Sequence, residues 1–493
     1  MNKIYESTRD KNERIEGAKA ILQGLSSDGG LFVLSDLTSR KIDLSSLVTK
    51  SYYEIAQTIL EIFLDDFTKD EIVNCVANAY ENKFTSDMIT PLVKLKDAYV
   101  LELFHGPTSA FKDVGLSLLP QLVSTALKKT GADYDILILT ATSGDTGKAA
   151  LEGFKDVDKT KIMVFYPNEG VSKVQETQMK TQQGSNVLVC AIEGNFDDAQ
   201  SGIKKLFVDT DFKEQLAKDN IHLSSANSIN IGRLIPQMVY YFSAYANLVK
   251  SGEIKMGDKV NYIVPTGNFG NILAGYYAKQ IGLPVHKLVC ASNENNVLYD
   301  FFETGEYNRN RDFLKTSSPS MDILISSNLE RLLYYASGCD NVYIKELMEE
   351  LNQNGSYKLK DEVLQAIRKD FMWGYATSEE CTNIIKQVYE KDQYLLDPHT
   401  AVAYKVLLDH VDKEHKNIVL STASPYKFAK SVVHALYKSD ESDEFEQMKQ
   451  LYEKTQVDIP INLQNLNTLP LLHNDVIKKE DMKDYVKKHI KEI

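Results

Sequence analysis

The chain has 493 residues, of which 43% are hydrophobic and 25% are charged, an ordinary composition for a globular protein of two or three domains. Its formal net charge of -13 argues against a general role in binding nucleic acid, because such a field repels a phosphate backbone. The cysteines are scattered and form no C-x-x-C pair, so neither a disulfide framework nor a zinc ribbon is indicated: Cys75, Cys190, Cys290, Cys339 and Cys381.

The first 95 residues are predicted to be mostly helical, with a turn-rich insert at 26–33 (SSDGGLFV). The charged start, MNKIYESTRDKNER, lacks the apolar core of a secretory signal. No apolar run approaches the roughly 20 residues that span a bilayer. We therefore expect a soluble, cytoplasmic protein that makes no contact with a membrane.

From about residue 97, short apolar stretches alternate with longer helical patterns. The stretches are β-branched or leucine-rich and mostly end in Gly, Pro, Ser or Thr, which predicts buried strands at 98–104, 134–142, 161–167, 186–194, 260–267, 286–292 and 416–424. This alternation predicts an α/β fold with two parallel-type sheets covered by helices. Residues 295–395 carry few strand signals and many charges, which predicts a helical insertion. The terminal KKEDMKDYVKKHIKEI is predicted to be a solvated helix.

One lysine lies in unusual surroundings. In FHGPTSAFKDVG (104–115), Lys112 follows a Gly-Pro turn and precedes an apolar run. Apolar surroundings destabilise the charged form of a lysine, so its pKa falls and the neutral amine can act as a nucleophile. On this segment alone, a lysine whose stem covers apolar surface at a helix start is the commoner explanation.

Three strands run into polar turns that open helices, at 137–154, 262–279 and 418–436. Free N–H groups at a helix N-terminus attract an anion, and glycine allows close approach, although such a glycine often marks only a tight corner. TSGDTGKAA is not a P-loop, because Thr142 and Ala149 replace residues that the motif requires. Several anion-binding turns and one apolar-flanked lysine fit pyridoxal phosphate, with the lysine on its aldehyde and one turn on its phosphate.

Several longer segments together resemble the threonine synthase family. They are HGPTSAFKD (105–113), ATSGDTGKAA (141–150), SANSINIGR (225–233), PTGNFGNILAGYYAK (265–279), SSPSMDILISSNLER (317–331), DPHTAVAY (397–404) and STASPYKF (421–428). The similarity runs in order from about residue 5 to 430. It implies a fold type II pyridoxal-phosphate enzyme of the tryptophan-synthase-β-like fold, from the branch without the plant-type regulatory extension.

The resemblance implies that O-phospho-L-homoserine and water give L-threonine and phosphate. We expect an N-terminal domain over 1–95, a large cofactor-binding domain over 96–130 and 225–493 with the insertion at about 295–395, and a small α/β domain over 131–224. The resemblance favours a monomer, with a homodimer as the alternative. A phospho-lyase releasing 2-oxobutyrate and a non-catalytic homologue remain open.

The resemblance also assigns roles to individual residues, and none of them is a metal ligand. Lys112 would be the catalytic Schiff-base lysine. The other expected cofactor-binding residues are Gly267, Asn268, Phe269, Gly270 and Asn271 for the phosphate and Thr422 for the pyridine nitrogen. The expected substrate-binding residues are Ser143, Gly144, Asp145, Thr146 and Gly147 for the carboxylate, and Asn227 and Arg233 for the phosphate.

Some of these residues have a competing interpretation. Arg233 is nearly as well explained by a structural salt bridge. His105 and His399 are better explained as satisfied core histidines than as proton carriers. The Asp145 carboxylate is expected to turn toward backbone amides. Lys148 is expected to face solvent.

Overall fold

A computed structural model describes residues 4–168, 170–410, 412–437 and 439–493. Residues 1–3 of the predicted N-terminal domain lie outside this range. The strands are β1 (Tyr5–Ser7), β2 (Arg14–Ile15), β3 (Phe32–Leu34), β4 (Leu92–Lys94), β5 (Tyr99–Glu102), β6 (Asp135–Ala141), β7 (Thr160–Pro167), β8 (Val187–Glu193), β9 (Ile221–Ser224), β10 (Val260–Pro265), β11 (Val285–Ser292), β12 (Glu306–Asn308), β13 (Ser356–Lys358), β14 (Phe371–Tyr375), β15 (Lys416–Ser421) and β16 (Val476–Lys478).

The helices vary from one turn to more than five. They are α1 (Gly17–Gln23), α2 (Leu44–Val48), α3 (Tyr52–Phe63), α4 (Lys69–Tyr80), α5 (Lys112–Thr130), α6 (Asp145–Phe154), α7 (Lys173–Lys180), α8 (Phe196–Val208), α9 (Thr210–Lys218), α10 (Ile231–Lys250), α11 (Gly270–Gln280), α12 (Val297–Thr304), α13 (Leu329–Ala336), α14 (Asn341–Asn354), α15 (Asp361–Asp370), α16 (Ser378–Asp392), α17 (Pro398–Asp409), α18 (Ala429–Leu436), α19 (Glu444–Thr455) and α20 (Met482–His489).

A six-stranded sheet has the order β14-β11-β10-β15-β5-β4. Its strands are parallel except β4, which pairs antiparallel with β5. Helices cover the sheet, so its central strands are buried and apolar. Because β14 forms one edge, the predicted insertion is not purely helical. The sequence FMWGY reads weakly as a strand because a glycine interrupts it and two of its residues are only partly buried.

A second, five-stranded sheet has the order β16-β8-β7-β6-β9, and all its pairs are parallel. The predicted α/β architecture with two parallel-type sheets is therefore confirmed. One boundary is wrong, because β16 pairs with β8 and α20 buries Met482, Tyr485 and Val486 in the core of this sheet. The end of the chain belongs to the small sheet rather than to the large domain, and its helix is only half solvated.

The N-terminal region combines helices with a small antiparallel sheet of β2, β1 and β3. The prediction of a mostly helical region missed this sheet, since its strands have only two or three residues each. Helices α3 and α4 both begin with a capping box, which fixes their start points. Among the described residues, no helix has the length and apolarity needed to cross a membrane.

Candidate active site

A cavity of about 1500 Å³ lies where the carboxyl ends of β6 in the small sheet and of β10 and β15 in the large sheet meet. Ligands of parallel sheets bind at this end, because the loops that follow the strands converge there. The structure brings eleven of the predicted site residues to its wall: Lys112, Ser143, Thr146, Asn227, Arg233, Gly267, Asn268, Phe269, Gly270, Asn271 and Thr422.

Lys112 is the first residue of α5, and its amine points into a nearly enclosed environment. Its Nζ donates to Ser320 Oγ at 3.1 Å and lies 3.9 Å from Asp145 Oδ2. Burial lowers the pKa of Lys112 to about 8, although the Asp145 carboxylate opposes the shift. The neutral amine is therefore accessible near physiological pH.

Asp145 does not turn toward backbone amides, contrary to the sequence-based expectation. Its Oδ1 lies 2.7 Å from Nζ of Lys427, which is 0% exposed, and accepts from Nε2 of Gln175 at 2.8 Å. Burial alone would raise the pKa of Asp145, but the Lys427 and Lys112 ammonium groups hold it well below its usual range. A bare carboxylate could not stay in this apolar setting, so the ion pair explains the orientation.

The turn between β6 and α6 is organised by Thr142. Its Oγ1 accepts from the N–H groups of Gly144 and Gly147, each at 2.9 Å. Gly144 has φ +133°, and a Cβ there would lie 2.5 Å from the Gln175 side chain. Ser143 and Thr146, which both carry a hydroxyl group, line the cavity. This turn suits a carboxylate.

The turn between β10 and α11 has the features of a phosphate site. Phe269 adopts the left-handed conformation, with φ +63°, directly before α11 begins. A Cβ on Gly267 would lie 2.7 Å from the Ser320 carbonyl oxygen. Asn271 Oδ1 accepts from the hydroxyls of Tyr240 and Tyr241, whereas its buried Nδ2 has no hydrogen-bond partner in the described part of the chain. An unpaired buried donor beside a helix N-terminus calls for an anionic ligand.

Arg233 is a buried cation with no counterion among the described side chains. It is 3% exposed, its Nη1 donates to the Ala226 carbonyl at 2.8 Å, and its Nε has no partner among the described residues. Burial lowers the pKa of Arg233 to about 10. No carboxylate whose position the structure describes lies within 4.0 Å of the guanidinium. The predicted alternative, a structural salt bridge, is therefore absent from the described part of the chain.

Thr422 and His399 complete the wall that faces Lys112. The Thr422 N–H donates to Thr400 Oγ1 at 3.3 Å, and its carbonyl accepts from the Phe111 N–H at 2.8 Å. These bonds hold its side chain beside the start of α5. His399 has both ring nitrogens engaged, with Nδ1 2.8 Å from Asp397 Oδ1 and Nε2 accepting from the Ser320 N–H at 3.2 Å. It positions Ser320 under the Lys112 amine.

Other candidates lie outside this cavity. His105 pairs with Glu102, its Nε2 lying 2.7 Å from Oε2, and does not border the cavity. Asp113 accepts from the Thr108 N–H at 2.9 Å in the first turn of α5. Gly144, Asp145 and Gly147 lie at the junction between β6 and α6 but do not line the cavity. Lys148 is 9% exposed and pairs with Glu152 at 3.1 Å, so the expectation that it faces solvent is wrong.

Sequence reasoning assigned no role to Thr142, Ser320 or Lys427. All three lie in segments that carried the family resemblance, ATSGDTG, SSPSMD and STASPYKF, so the motifs themselves were the available signal. The contacts of Ser320 with Lys112 and of Lys427 with Asp145 join segments more than a hundred residues apart, and such contacts leave no local pattern.

The donor set fits pyridoxal phosphate. The Lys112 amine would hold its aldehyde, and the β10–α11 turn, with the unpaired Nδ2 of Asn271, would hold its phosphate. The Thr422 side chain, on the same cavity wall, would meet the ring nitrogen. The Arg233 guanidinium, whose Nε has no hydrogen-bond partner among the described residues, remains for a second anion.

Comparisons with known proteins agree with this arrangement. The sequence matches the family descriptions "Threonine synthase N terminus" over residues 4–80, "Pyridoxal-phosphate dependent enzyme" over 86–422 and "Threonine synthase, C-terminal" over 400–467. It is 39% identical to "Threonine synthase-like 1" of Homo sapiens over 475 residues, which cover 94% of this chain and 62% of that protein. It is 37% identical to threonine synthase of Saccharomyces cerevisiae, with 88% of this chain and 89% of the relative covered.

Solved structures of threonine synthases are also similar to this chain. The pyridoxal-phosphate-bound threonine synthase of Brucella melitensis superposes with a TM-score of 0.88 at 38% identity, covering 98% of this chain and 99% of the other. Yeast threonine synthase superposes with a TM-score of 0.88 at 34% identity, covering 100% and 99%.

Proposed function

Because the chain belongs to the threonine synthase family of pyridoxal-phosphate-dependent enzymes, we propose that it converts O-phospho-L-homoserine and water into L-threonine and phosphate. In this proposal it is a carbon–oxygen lyase that combines γ-elimination of phosphate with hydration at Cβ. One observation carries the proposal: a single cavity unites a buried lysine of lowered pKa with the Asn271 amide donor and the Arg233 guanidinium, which have no hydrogen-bond partner and no counterion, respectively, among the described residues.

Pyridoxal phosphate, when bound, supplies the electron sink that stabilises negative charge next to the substrate amine. Lys112 would bind the aldehyde of the cofactor, and the turn from Gly267 to Asn271 would bind the phosphate of the cofactor. The Thr422 hydroxyl would meet the ring nitrogen. The Thr422 hydroxyl, unlike a carboxylate, does not require the ring nitrogen of the cofactor to be protonated.

Lys112 is the proposed general base and acid for the substrate. With a pKa of about 8, its amine can remove a proton from Cα and one from Cβ, and can deliver one to Cγ after phosphate leaves and one back to Cα, and each transfer costs little free energy. Ser320 accepts a hydrogen bond from Nζ and so fixes the direction of the amine. Without that contact, the four-carbon stem would sample several rotamers.

The substrate's two anionic ends have separate sites in this proposal. The β6–α6 turn, with Ser143 and Thr146, binds the carboxylate. Arg233 and Asn227 bind the phosphate, and the forked guanidinium suits its oxygens. The buried position of Arg233 strengthens the attraction, because little water screens it.

We also propose that the enzyme works in the cytoplasm and acts as a monomer, with a homodimer as the alternative. All five cysteines are free, which supports a reducing compartment.

The test is incubation of the holoenzyme with O-phospho-L-homoserine, followed by quantification of phosphate, threonine and 2-oxobutyrate in the same sample. Equal amounts of phosphate and threonine would support the proposal. Phosphate matched by 2-oxobutyrate would identify a phospho-lyase. Cofactor binding without phosphate release would mean that the substrate is a different one.

A further inference from the structure

A second cavity, of about 440 Å³, is separate from the catalytic cavity. We call it the lysine pocket and define it by Lys83, Lys148, Lys155, Glu152 and Gln178. None of its lining residues borders the catalytic cavity. Its volume falls within the range of small-ligand sites.

The lysine pocket carries an excess of positive charge. Three lysines line it, and Glu152 is the single carboxylate in its lining, so the net charge is two positive. Glu152 pairs with Lys148 at 3.1 Å, whereas no carboxylate lies within 4.0 Å of the amines of Lys83 and Lys155 in the described part of the chain. Clustered like charges repel one another, and a bound anion would remove that repulsion.

Lys148 is the most buried of the three lysines that line the lysine pocket. It is 9% exposed, and its ammonium donates to Glu152 and to the Gln182 side chain. An ammonium has three donors, so one remains for a ligand. Burial lowers the pKa of Lys148, and a bound anion would oppose that shift.

A second and independent feature is an unpaired acceptor. Gln178 is 1% exposed and its Nε2 lies 3.5 Å from the Thr108 carbonyl oxygen, but its Oε1 has no hydrogen-bond partner among the described residues. A buried acceptor without a donor costs free energy. The ligand should therefore bring a hydrogen-bond donor as well as negative charge.

We propose that the lysine pocket binds the hydrogen phosphate ion, whose oxygens would accept from the three lysines and whose P–OH would donate to Gln178. Sulfate has the same tetrahedral shape and charge at neutral pH but has no proton to donate. A phosphate monoester is almost fully deprotonated at pH 8 and lacks the donor in the same way. The lysine pocket should therefore prefer hydrogen phosphate to sulfate, because only hydrogen phosphate has a proton to donate to Gln178.

The test is calorimetric titration of the holoenzyme with sodium phosphate and with sodium sulfate at pH 7 and constant ionic strength. We expect wild-type protein to bind phosphate about tenfold more tightly than sulfate, the ratio for one additional charge-assisted hydrogen bond. The double variant Lys83→Met/Lys155→Met should lose about tenfold or more in phosphate affinity. The control Lys69→Met/Lys345→Met, which removes two exposed lysines elsewhere, should keep it.

Wild type and every variant can also bind phosphate in the catalytic cavity. Only the difference in phosphate affinity between them therefore reports on the lysine pocket. Gln178→Met should abolish the preference for phosphate, and thermal unfolding would check that each variant is folded. Equal phosphate affinity in wild type and Lys83→Met/Lys155→Met would overturn the site. Equal affinity for sulfate and phosphate in the wild type would overturn the role of Gln178. Neither measurement depends on turnover.

Discussion

At the scale of single residues, the site rests on three buried charges that lie close to one another: Lys112, Asp145 and Lys427. Lys427 holds Asp145 ionised, and Asp145 lies between the ammonium groups of Lys427 and Lys112. Burial lowers the pKa of Lys112, repulsion from Lys427 adds to this effect, and Asp145 opposes it. The reactivity of Lys112 therefore depends on a lysine that does not border the cavity.

Replacing Lys112 by arginine tests its role directly. An arginine stays protonated at any practical pH and can neither bond an aldehyde nor accept a proton. We expect Lys112→Arg to lower kcat by about 100-fold or more, the usual contribution of a general base. The control is Lys128→Arg at the exposed end of the same helix, which should keep the wild-type rate. Activity of Lys112→Arg within tenfold of wild type would contradict the assignment.

Lys427 gives a prediction about pH. In wild type, kcat should rise as the pH passes through about 8, because Lys112 must lose its proton to act as the base. Lys427→Met removes a repelling positive charge and frees the Asp145 carboxylate, and both changes raise the pKa of Lys112. The rising limb of the kcat profile should move up by about one pH unit. Lys427→Arg should keep it in place, and an unmoved limb in Lys427→Met would show that Lys427 is only structural.

At the scale of elements, the catalytic cavity is built from turns that follow strands. The seven strands and the three polar turns that follow β6, β10 and β15 were predictable, because their periodicity and turn residues are local signals. Strand β14 was not, since its glycine and its partial burial hide the pattern. The hydrogen bonds of Thr142 to Gly144 and Gly147 depend on the turn's own conformation, which no spacing reveals.

The Thr142 hydroxyl should matter for substrate binding. Thr142→Val keeps the side-chain shape but leaves the N–H groups of Gly144 and Gly147 without their acceptor. We expect KM for the substrate to rise about tenfold, with a smaller change in kcat. The matched control is Thr140→Val on the preceding strand β6, because the buried Thr140 hydroxyl has no partner among the described residues and its loss should cost nothing. Equal KM values in the two variants would contradict this role.

At the scale of the whole molecule, distant parts of the chain meet around the site. Arg331 is fully buried and donates to the carbonyl oxygens of Phe32 and Ile229 and to Asn328 Oδ1. It thereby joins the N-terminal sheet, the segment before α10 and the start of α13. The overall arrangement of two sheets was predictable from alternation, but such contacts and the return of β16 to the small sheet were not, because they join residues far apart in sequence.

Arg331 should therefore contribute strongly to stability. Arg331→Met leaves buried carbonyl groups without a donor, and we expect a loss of about 3 kcal/mol in the free energy of unfolding. Urea unfolding monitored by circular dichroism measures it. Lys386→Met removes an exposed lysine paired with the exposed Glu390 and should cost less than about 1 kcal/mol. Similar losses in the two variants would contradict the joining role of Arg331.

The central claim is that the enzyme breaks the Cγ–O bond of O-phospho-L-homoserine and adds water at Cβ. The most direct measurement is turnover in water enriched in oxygen-18, with mass spectrometry of both products. We predict that threonine carries the label in its hydroxyl group while phosphate keeps only its original oxygens, because the bridging oxygen leaves with phosphorus. Labelled phosphate together with homoserine would show attack of water on phosphorus, and it would contradict the account.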